Sequence, residues 1–243
     1  MNWLDITLLS ILAFFTSVIS GVAGMGGGVT FLAGMTFLVP YQLLIPLHGT
    51  TQLISNLSRA LFLFKHINKN IFLYFNLGLP FGIFIAVELI KSLTSKTFPM
   101  FLLALLISYT LFKPKKLPHL KIPIWSFSLV GFIAGILGIL VGATGPFIAV
   151  YFLRNDLTKE EIVSTKATVQ MAVHLYKIPA FLFLGFNYLE YLHVILLLAA
   201  STVFGSNFGV KILKKVDETL FRKIYRLALF AALLRILYLL LYP

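Results

Sequence analysis

The chain has 243 residues, of which 59% are hydrophobic and only 12% are charged, and its mean hydropathy is +0.96. Soluble domains carry about 25% charged residues, so this composition excludes an ordinary water-soluble fold and indicates a polytopic membrane protein. The net charge of +12 lies mostly in short loops between apolar runs, which favours membrane topology and anionic lipid over nucleic acid as its explanation. The absence of cysteine excludes disulfides, thiol catalysis and cysteine metal sites.

Apolar runs follow one another along the whole chain. In the first half they span 4–23, 29–47, 48–64, 71–90 and 98–112, and in the second half 122–141, 143–153, 161–184, 188–210 and 220–242. A spanning helix needs about 20 residues. Pro40 interrupts the second run, and the seventh is too short to cross alone. No Lys or Arg precedes the first run, so we expect it to remain as a helix rather than to be removed as a signal peptide.

A glycine-rich break, Gly-Met-Gly-Gly-Gly at 24–28, follows the first run, and a weaker copy lies at 138–146. Sliding the sequence by 114 positions aligns three glycines of the first half with glycines of the second, and Thr30 with Thr144. This spacing predicts an internal duplication with one broken helix in each half. Paired breaks of this kind are typical of a transporter's binding site, although small residues also serve close helix packing.

The charge of the loops discriminates between two topologies. If each short segment completes a crossing, each half has five crossings and the halves are inverted, with thirteen Lys and Arg on one side and two on the other. If the short segments re-enter, the halves are parallel and the same charges divide nine to six. Because cytoplasmic loops are enriched in Lys and Arg, we predict an all-α polytopic membrane protein with two inverted repeats of about five transmembrane or broken helices each.

The predicted repeats are residues 1–112 and 122–243, joined by a cytoplasmic linker at 113–121 that has four lysines and two prolines. Both termini are predicted outside the cytoplasm of a multi-pass protein in the inner, or plasma, membrane. The expected partners are the lipid bilayer and a small anionic substrate, with no nucleic acid. The sequence leaves the oligomeric state open, a homo-oligomer included.

A break inside the membrane has to face protein or a water-filled cavity, because lipid offers no hydrogen bonds. The helix that follows the break directs its free N–H groups and the positive end of its dipole at that cavity, and this combination favours an anion. Thr30 and Thr144 are expected in the first turns of these helices as further donors. Pro146 is typical of a helix start.

The next helix of each half carries polar residues at positions i, i+4, i+8 and i+11, which is one helical face. They are His48, Gln52, Asn56 and Arg59 in the first half and Lys166, Gln170, His174 and Lys177 in the second. We predict that Asn56, Gln170, His174 and Lys177 line the cavity. We interpret Lys166 as reaching toward the cytoplasmic surface. For Arg59 both interpretations stay open.

No carboxylate is predicted near the centre of the membrane, where cation pumps and proton relays often have one. The embedded ionisable groups are histidines and cations, which suit an anionic substrate. His174 is the deep side chain that would titrate near neutral pH, so it is the candidate for proton coupling, with a packed histidine as the alternative. No HExxH, GxxxxGK[ST] or GxSxG motif occurs, so neither an enzyme nor a cofactor or metal site is expected.

The break at 24–28, the His-Gly-Thr-Thr helix start at 48–51 and their degenerate repeat resemble the sulfite exporter TauE/SafE family, also called the toluene sulfonate uptake permease family. The likeness extends over nearly the whole chain, although the second break lacks the usual glycine triplet. It implies a multi-pass inner-membrane protein that moves sulfite, thiosulfate, sulfonates or related sulfur-containing carboxylates. The resemblance also implies binding roles for Gly26, Gly27, Gly28, Thr51, Gly142, Thr144, Gly145 and Thr165.

We therefore predict a secondary transporter, a permease or exporter, of a small anion such as sulfite, a sulfonate or another oxyanion. Rocking of one half against the other would give alternating access. A passive anion channel and a membrane scaffold without a transported substrate are the alternatives. The predicted substrate-binding residues are Gly26, Gly27, Gly28, Thr30, Thr51, Asn56, Gly142, Thr144, Gly145, Thr165, Gln170, His174 and Lys177.

Overall fold

The computed structural model describes residues 1–23, 26–92, 97–112, 122–152, 154, 156–212 and 218–241, and the regular secondary structure of this described part is helical. The first half contains α1 (Trp3–Ala23), α2 (Gly27–Met35), α3 (Tyr41–Phe62), α4 (Lys69–Ser92) and α5 (Thr97–Phe112). The second half contains α6 (Phe127–Leu140), α7 (Gly145–Tyr151), α8 (Lys159–Phe183), α9 (Leu192–Ile212) and α10 (Glu218–Leu241). The predicted linker at 113–121 lies outside the described residues.

The helices have the apolar surface of a protein embedded in lipid. Within the described ranges, three segments are long and apolar enough to cross a membrane by length and composition: Trp3–Ser20, Lys69–Ser92 and Leu192–Gly209. Large side chains point outward, as at Phe81 and Phe84 of α4, which are 67% and 66% exposed. Such exposure would be costly in water and is favourable against acyl chains. The protein is therefore an all-helical, multi-pass membrane protein.

One predicted helix boundary is wrong. The sequence runs 29–47 and 48–64 predicted a helix start at His48, but α3 begins at Tyr41, directly after Pro40. Pro46 lies inside α3. Pro46 is the sixth residue of α3, so it removes the hydrogen bond that an N–H there would donate to Gln42 O, and the helix continues past it. As a result, His48 lies within the helix rather than at its end.

The short helix α2 returns alongside α1. Gly27 at its start packs against Ser20 of α1, whereas Gly34 near its end packs against Leu12, so the two helices are antiparallel. Helix α3 then runs in the same direction as α1, and the guanidinium of Arg59 near its end donates to the carbonyl of Ser20. The chain between α1 and α3 therefore travels back across the thickness of the bundle.

The second half repeats this course. Phe152, which follows α7, packs edge-on against Phe127 at the start of α6, with ring centroids 5.6 Å apart. Helix α7 is therefore antiparallel to α6. The end of α6 lies beside the later part of α8, because Gly138 is next to Val173. Helices α6 and α8 thus run in the same direction, as α1 and α3 do.

Helices from opposite halves pack closely in two parallel pairs. In the pair of α4 and α6, Gly78 lies against Ser128 and Gly82 against Phe132, and a Cβ at either glycine would overlap a backbone carbonyl oxygen. In the pair of α1 and α9, Gly209 lies against Val18 in the same way. Small residues spaced four apart allow such close approach of membrane helices.

The central helices α3 and α8 cross in opposite directions. The turn after α3 meets the start of α8, where the Ser164 hydroxyl donates to the carbonyl of His66 at 2.7 Å. Further along, the ring of His48 contacts that of His174 near the other end of α8. The two polar faces therefore oppose each other in the interior.

Candidate functional site

A polar cavity of about 50 Å³ lies between α3 and α8, beside both breaks. Its described walls are formed by Ser20, Gly26, Gly28, Val29, His48, Gln52, Arg59, Thr110, Ala143, Thr144, Gly145, Pro146, Ala149, Lys166, Gln170 and His174. One water needs about 10–15 Å³ by this measure, so the cavity has room for roughly three to five water-sized groups.

The first wall is the start of α2. Gly26 adopts a φ of 95° and caps the helix, whose first internal hydrogen bond runs from Thr30 N to Gly26 O at 3.0 Å. The N–H groups of Gly27, Gly28 and Val29 therefore have no partner within the helix. At Gly28 a Cβ would lie 2.8 Å from the amide oxygen of Gln52, so glycine lets α3 approach this helix end.

The second wall is the start of α7. Gly142, with a φ of 89°, ends α6, and its N–H donates to the carbonyl of Leu137. Thr144 then caps α7, and its hydroxyl is buried without a hydrogen-bond partner. Gly145 leaves room for the amide of Gln170, which a Cβ would approach to 3.0 Å. Helix α7 is too short to have a strong dipole. The polar groups that this wall presents to the cavity are therefore the Thr144 hydroxyl and the Gln170 amide.

Two cations lie in the wall. The Arg59 guanidinium donates to Asn56 Oδ1 at 2.6 Å and to the carbonyl of Ser20 at 3.4 Å, while its Nε is buried without a partner. Lys166 is only 6% exposed. The interpretation of Lys166 as reaching the cytoplasmic surface is therefore wrong, and the open question about Arg59 is answered in favour of the cavity. The described wall residues include no Asp or Glu.

Two histidines contact each other in the wall of the cavity. Nε2 of His48 donates to the carbonyl of Gly28 at 2.9 Å, and Phe31 stacks on the same ring. The ring centroids of His48 and His174 are 5.7 Å apart in an edge-to-face arrangement. The Nδ1 atom of each ring is buried without a hydrogen-bond partner. The described residues contain no cluster of three or more His, Asp or Glu that could hold a metal ion.

The structure places six of the predicted residues in the wall: Gly26, Gly28, Thr144, Gly145, Gln170 and His174. Three more, Asn56, Gly142 and Lys177, lie directly behind the wall. Asn56 holds the guanidinium of Arg59, and the ammonium of Lys177 donates to the carbonyl of Gly142. Lys177 is fully buried. Its charge therefore acts on the cavity from behind the break.

The remaining four predicted residues have other contacts. Gly27 packs against α1, where a Cβ would overlap the backbone. The hydroxyls of Thr30 and Thr51 donate to carbonyls of their own helices, at Gly26 and Leu47. Thr165 accepts from the N–H of Asn68 at 2.8 Å and so joins α8 to the start of α4. None of the four lies in the described wall.

At the breaks, the two halves of the chain correspond at a different offset from the one that the sequence predicted. Helices α2 and α7 start 118 positions apart, and so do α3 and α8. The predicted offset of 114 holds for α1 and α6, where Phe14 and Ser128 make equivalent contacts with glycines of the other half. The alignment of Thr30 with Thr144 is therefore wrong, because Thr144 caps α7 in the place where Gly26 caps α2.

Four wall residues with chemical function were missing from the predicted site: His48, Gln52, Arg59 and Lys166. The offset of 118 would have found them. At that offset the two polar faces align residue for residue in the sequence, so that His48 aligns with Lys166 and Gln52 with Gln170. The other omissions, Ser20 and Thr110, are single small polar residues on α1 and α5, and no sequence pattern singles them out.

The lipid-facing helical bundle defines a multi-pass membrane protein, and its described interior holds a cavity lined by two cations. The chain belongs to the sulfite exporter TauE/SafE family, whose family model matches residues 9–236. The resemblance inferred from the glycine breaks is thereby confirmed. Membership of this family makes the chain a membrane transporter of sulfite-like anions. No curated protein and no solved structure matches it.

Proposed function

We propose that the protein is a secondary transporter that binds a small sulfur oxyanion, with sulfite as the first candidate, in the cavity between α3 and α8. One observation carries this proposal. Four buried polar atoms around the cavity lack partners: Nδ1 of His48 and of His174, Nε of Arg59 and Oγ1 of Thr144. Buried polar groups are nearly always hydrogen-bonded, so a cluster of such atoms on one cavity indicates a polar ligand.

The charges in the wall favour an anion as that ligand. Arg59 and Lys166 lie in the wall, Lys177 lies behind it, and the described wall has no carboxylate. A buried charge is costly unless it is paired, and an incoming anion would pair with the Arg59 guanidinium, whose Nε has no hydrogen-bond partner. The free N–H groups at the start of α2 add donors and a favourable dipole.

The size of the cavity favours a small inorganic anion. Room for roughly three to five water-sized groups matches sulfite, which is a sulfur atom with its oxygens. An aromatic sulfonate would need a more open state. Within the family's range of substrates, we therefore favour sulfite and other compact oxyanions over bulky sulfonates.

We place this site between two inverted repeats of five helices, with both termini outside the cytoplasm. The opposed directions of α3 and α8 support the inversion, as do the parallel pairs α4 with α6 and α1 with α9. These pairs join helices of different halves. Because each pair ties one half to the other, we do not expect the two repeats to move apart during alternating access. We place the movement between these pairs and the central helices α3 and α8.

The chain is free of cysteine, so single cysteines report the topology directly. Lys65→Cys and Glu160→Cys, at exposed positions near the start of α8, are expected to resist a membrane-impermeant maleimide in intact cells. Lys91→Cys and Leu189→Cys, at the opposite end of the bundle, are expected to react. All four should react after permeabilisation. The reverse pattern would mean that the protein has the opposite orientation in the membrane. Equal reaction of all four cysteines in intact cells would contradict the placement of the two ends of the bundle on opposite sides of the membrane.

The function is tested by thermal unfolding of the purified protein against a panel of anions. Sulfite, thiosulfate, sulfoacetate, taurine, sulfate, chloride and lactate form the panel. A ligand at 100 times its Kd stabilises the folded state by about 2.7 kcal/mol, which is readily seen as a rise in Tm. We expect the largest rise with sulfite, followed by saturable flux in liposomes. Flux without saturation would indicate a channel, and no response to any anion would favour a scaffold.

A further inference from the structure

We propose that the cavity binds its anion together with one proton, which the facing pair His48 and His174 takes up from solution. This inference rests on the proposed function and names its coupling ion. It extends the proton-coupling role from His174 alone to both rings. The evidence is the position of the two rings in the wall, their contact with each other and the lack of a hydrogen-bond partner at both Nδ1 atoms.

The hydrogen bond of His48 determines which of its nitrogens carries a proton. A backbone carbonyl can only accept, so Nε2 of His48 has to donate to Gly28 O. In the neutral ring the proton is then on Nε2, and Nδ1 presents a lone pair. An ionised oxyanion also presents only lone pairs. A neutral His48 therefore brings no charge to the ligand, whereas a protonated His48 places a positive charge beside it.

The surrounding charges limit the pair to a single proton. The charged groups that act on the rings are Arg59 from α3 and Lys177 from α8, and Lys166 of α8 lies in the same wall. The described wall residues from α1, α2, α5 and α7 contribute no ionisable group. With cations and no carboxylate in the described wall, and the rings 5.7 Å apart, a second proton on the pair would be opposed by like charge.

Anion and proton therefore bind with positive coupling. The anion offsets the cations that oppose protonation, and the proton adds a positive charge that attracts the anion. Coupling of this kind is reciprocal: if the anion promotes protonation, a lower pH must tighten anion binding by the same factor. The proton moves from bulk water to Nδ1 of one ring, and no other bond is made or broken.

The test is isothermal titration of the purified protein with methanesulfonate and with sulfate, neither of which takes up a proton near neutral pH. Bis-Tris and Tris serve as buffers, because sulfonate and phosphate buffers would compete for the site. Their different ionisation enthalpies give the number of protons bound with the anion. We expect this number to approach one at the alkaline end, where the affinity falls about tenfold for each pH unit.

The double variant His48→Gln/His174→Gln is expected to bind the anion with a pH-independent affinity, since an amide donates without titrating. His193→Gln, on the exposed start of α9, is the matched control and keeps the full dependence. Anion binding by the wild type without proton uptake overturns the proposal, as does uptake that persists in the double variant. If the double variant does not fold, the measurement of proton uptake by the wild-type protein still tests the proposal. Failure of both anions, and of sulfite in the thermal panel, to bind at any pH would instead refute the proposed function.

Discussion

Replacement of Arg59 by methionine is expected to weaken sulfite binding by about one to two orders of magnitude. A hydrogen bond from a charged donor contributes about 1.5–3 kcal/mol, and 1.4 kcal/mol corresponds to a factor of ten in Kd. The guanidinium is held in place by Asn56 Oδ1 and by the Ser20 carbonyl, with Nε left over for a ligand. Because it is fixed before the anion arrives, little ordering entropy opposes binding.

The Arg59 experiment has two matched comparisons. Arg235→Met removes a cation from α10, where the guanidinium lies over the rings of Phe37 and Tyr238, and should leave the affinity unchanged. Lys177→Met removes the equivalent cation of the second half, which lies behind the wall, and should weaken binding less than Arg59→Met does. Titration of each variant with sulfite gives Kd, and Tm without anion shows whether it folds. Wild-type affinity in a folded Arg59→Met protein would remove this residue from the site.

The order of helices and breaks could be predicted from the sequence because each depends on local chemistry. Apolar length gives the spans, and the glycines at 24–28 interrupt them where a helix would otherwise continue. The polar faces of α3 and α8 were also visible, since polar residues at helical spacing in apolar surroundings are costly on the lipid side. The main boundary error, at His48, came from extending the second apolar run across Pro40 to residue 47, whereas α3 begins at Tyr41.

The contents of the cavity wall could not be predicted, because they depend on how distant segments meet. Arg59 and Lys177 occupy equivalent positions in their helices at the offset of 118. Yet Lys177 turns toward the carbonyl of Gly142. The space for its side chain comes from Gly49 and Gly138, where a Cβ would lie 3.3 and 3.4 Å from its carbons. No pattern within α8 reveals glycines contributed by α3 and α6.

Replacement of Gly82 by valine is expected to destabilise the protein by about 3 kcal/mol or more. The Cβ of residue 82 would overlap the carbonyl oxygen of Phe132 in α6, and neither backbone can yield without separation of the helices. Overpacking of a well-packed core typically costs about 1–3 kcal/mol, and a clash with backbone lies at the upper end. For a chain of this length the loss corresponds to a fall in Tm of roughly 6–12 °C.

Gly209→Val tests the same contact in the pair of α1 and α9, and a similar fall in Tm is expected because Val18 presents its carbonyl there in the same way. Phe84→Val, at a lipid-facing position of α4, is the matched control and should change Tm little. Wild-type Tm in both glycine variants would mean that the two pairs separate readily. A loss at both sites would instead show that each repeat is fastened to the other on two flanks. Any transport motion would then have to leave these pairs intact and occur at the central crossing of α3 and α8, where the cavity lies.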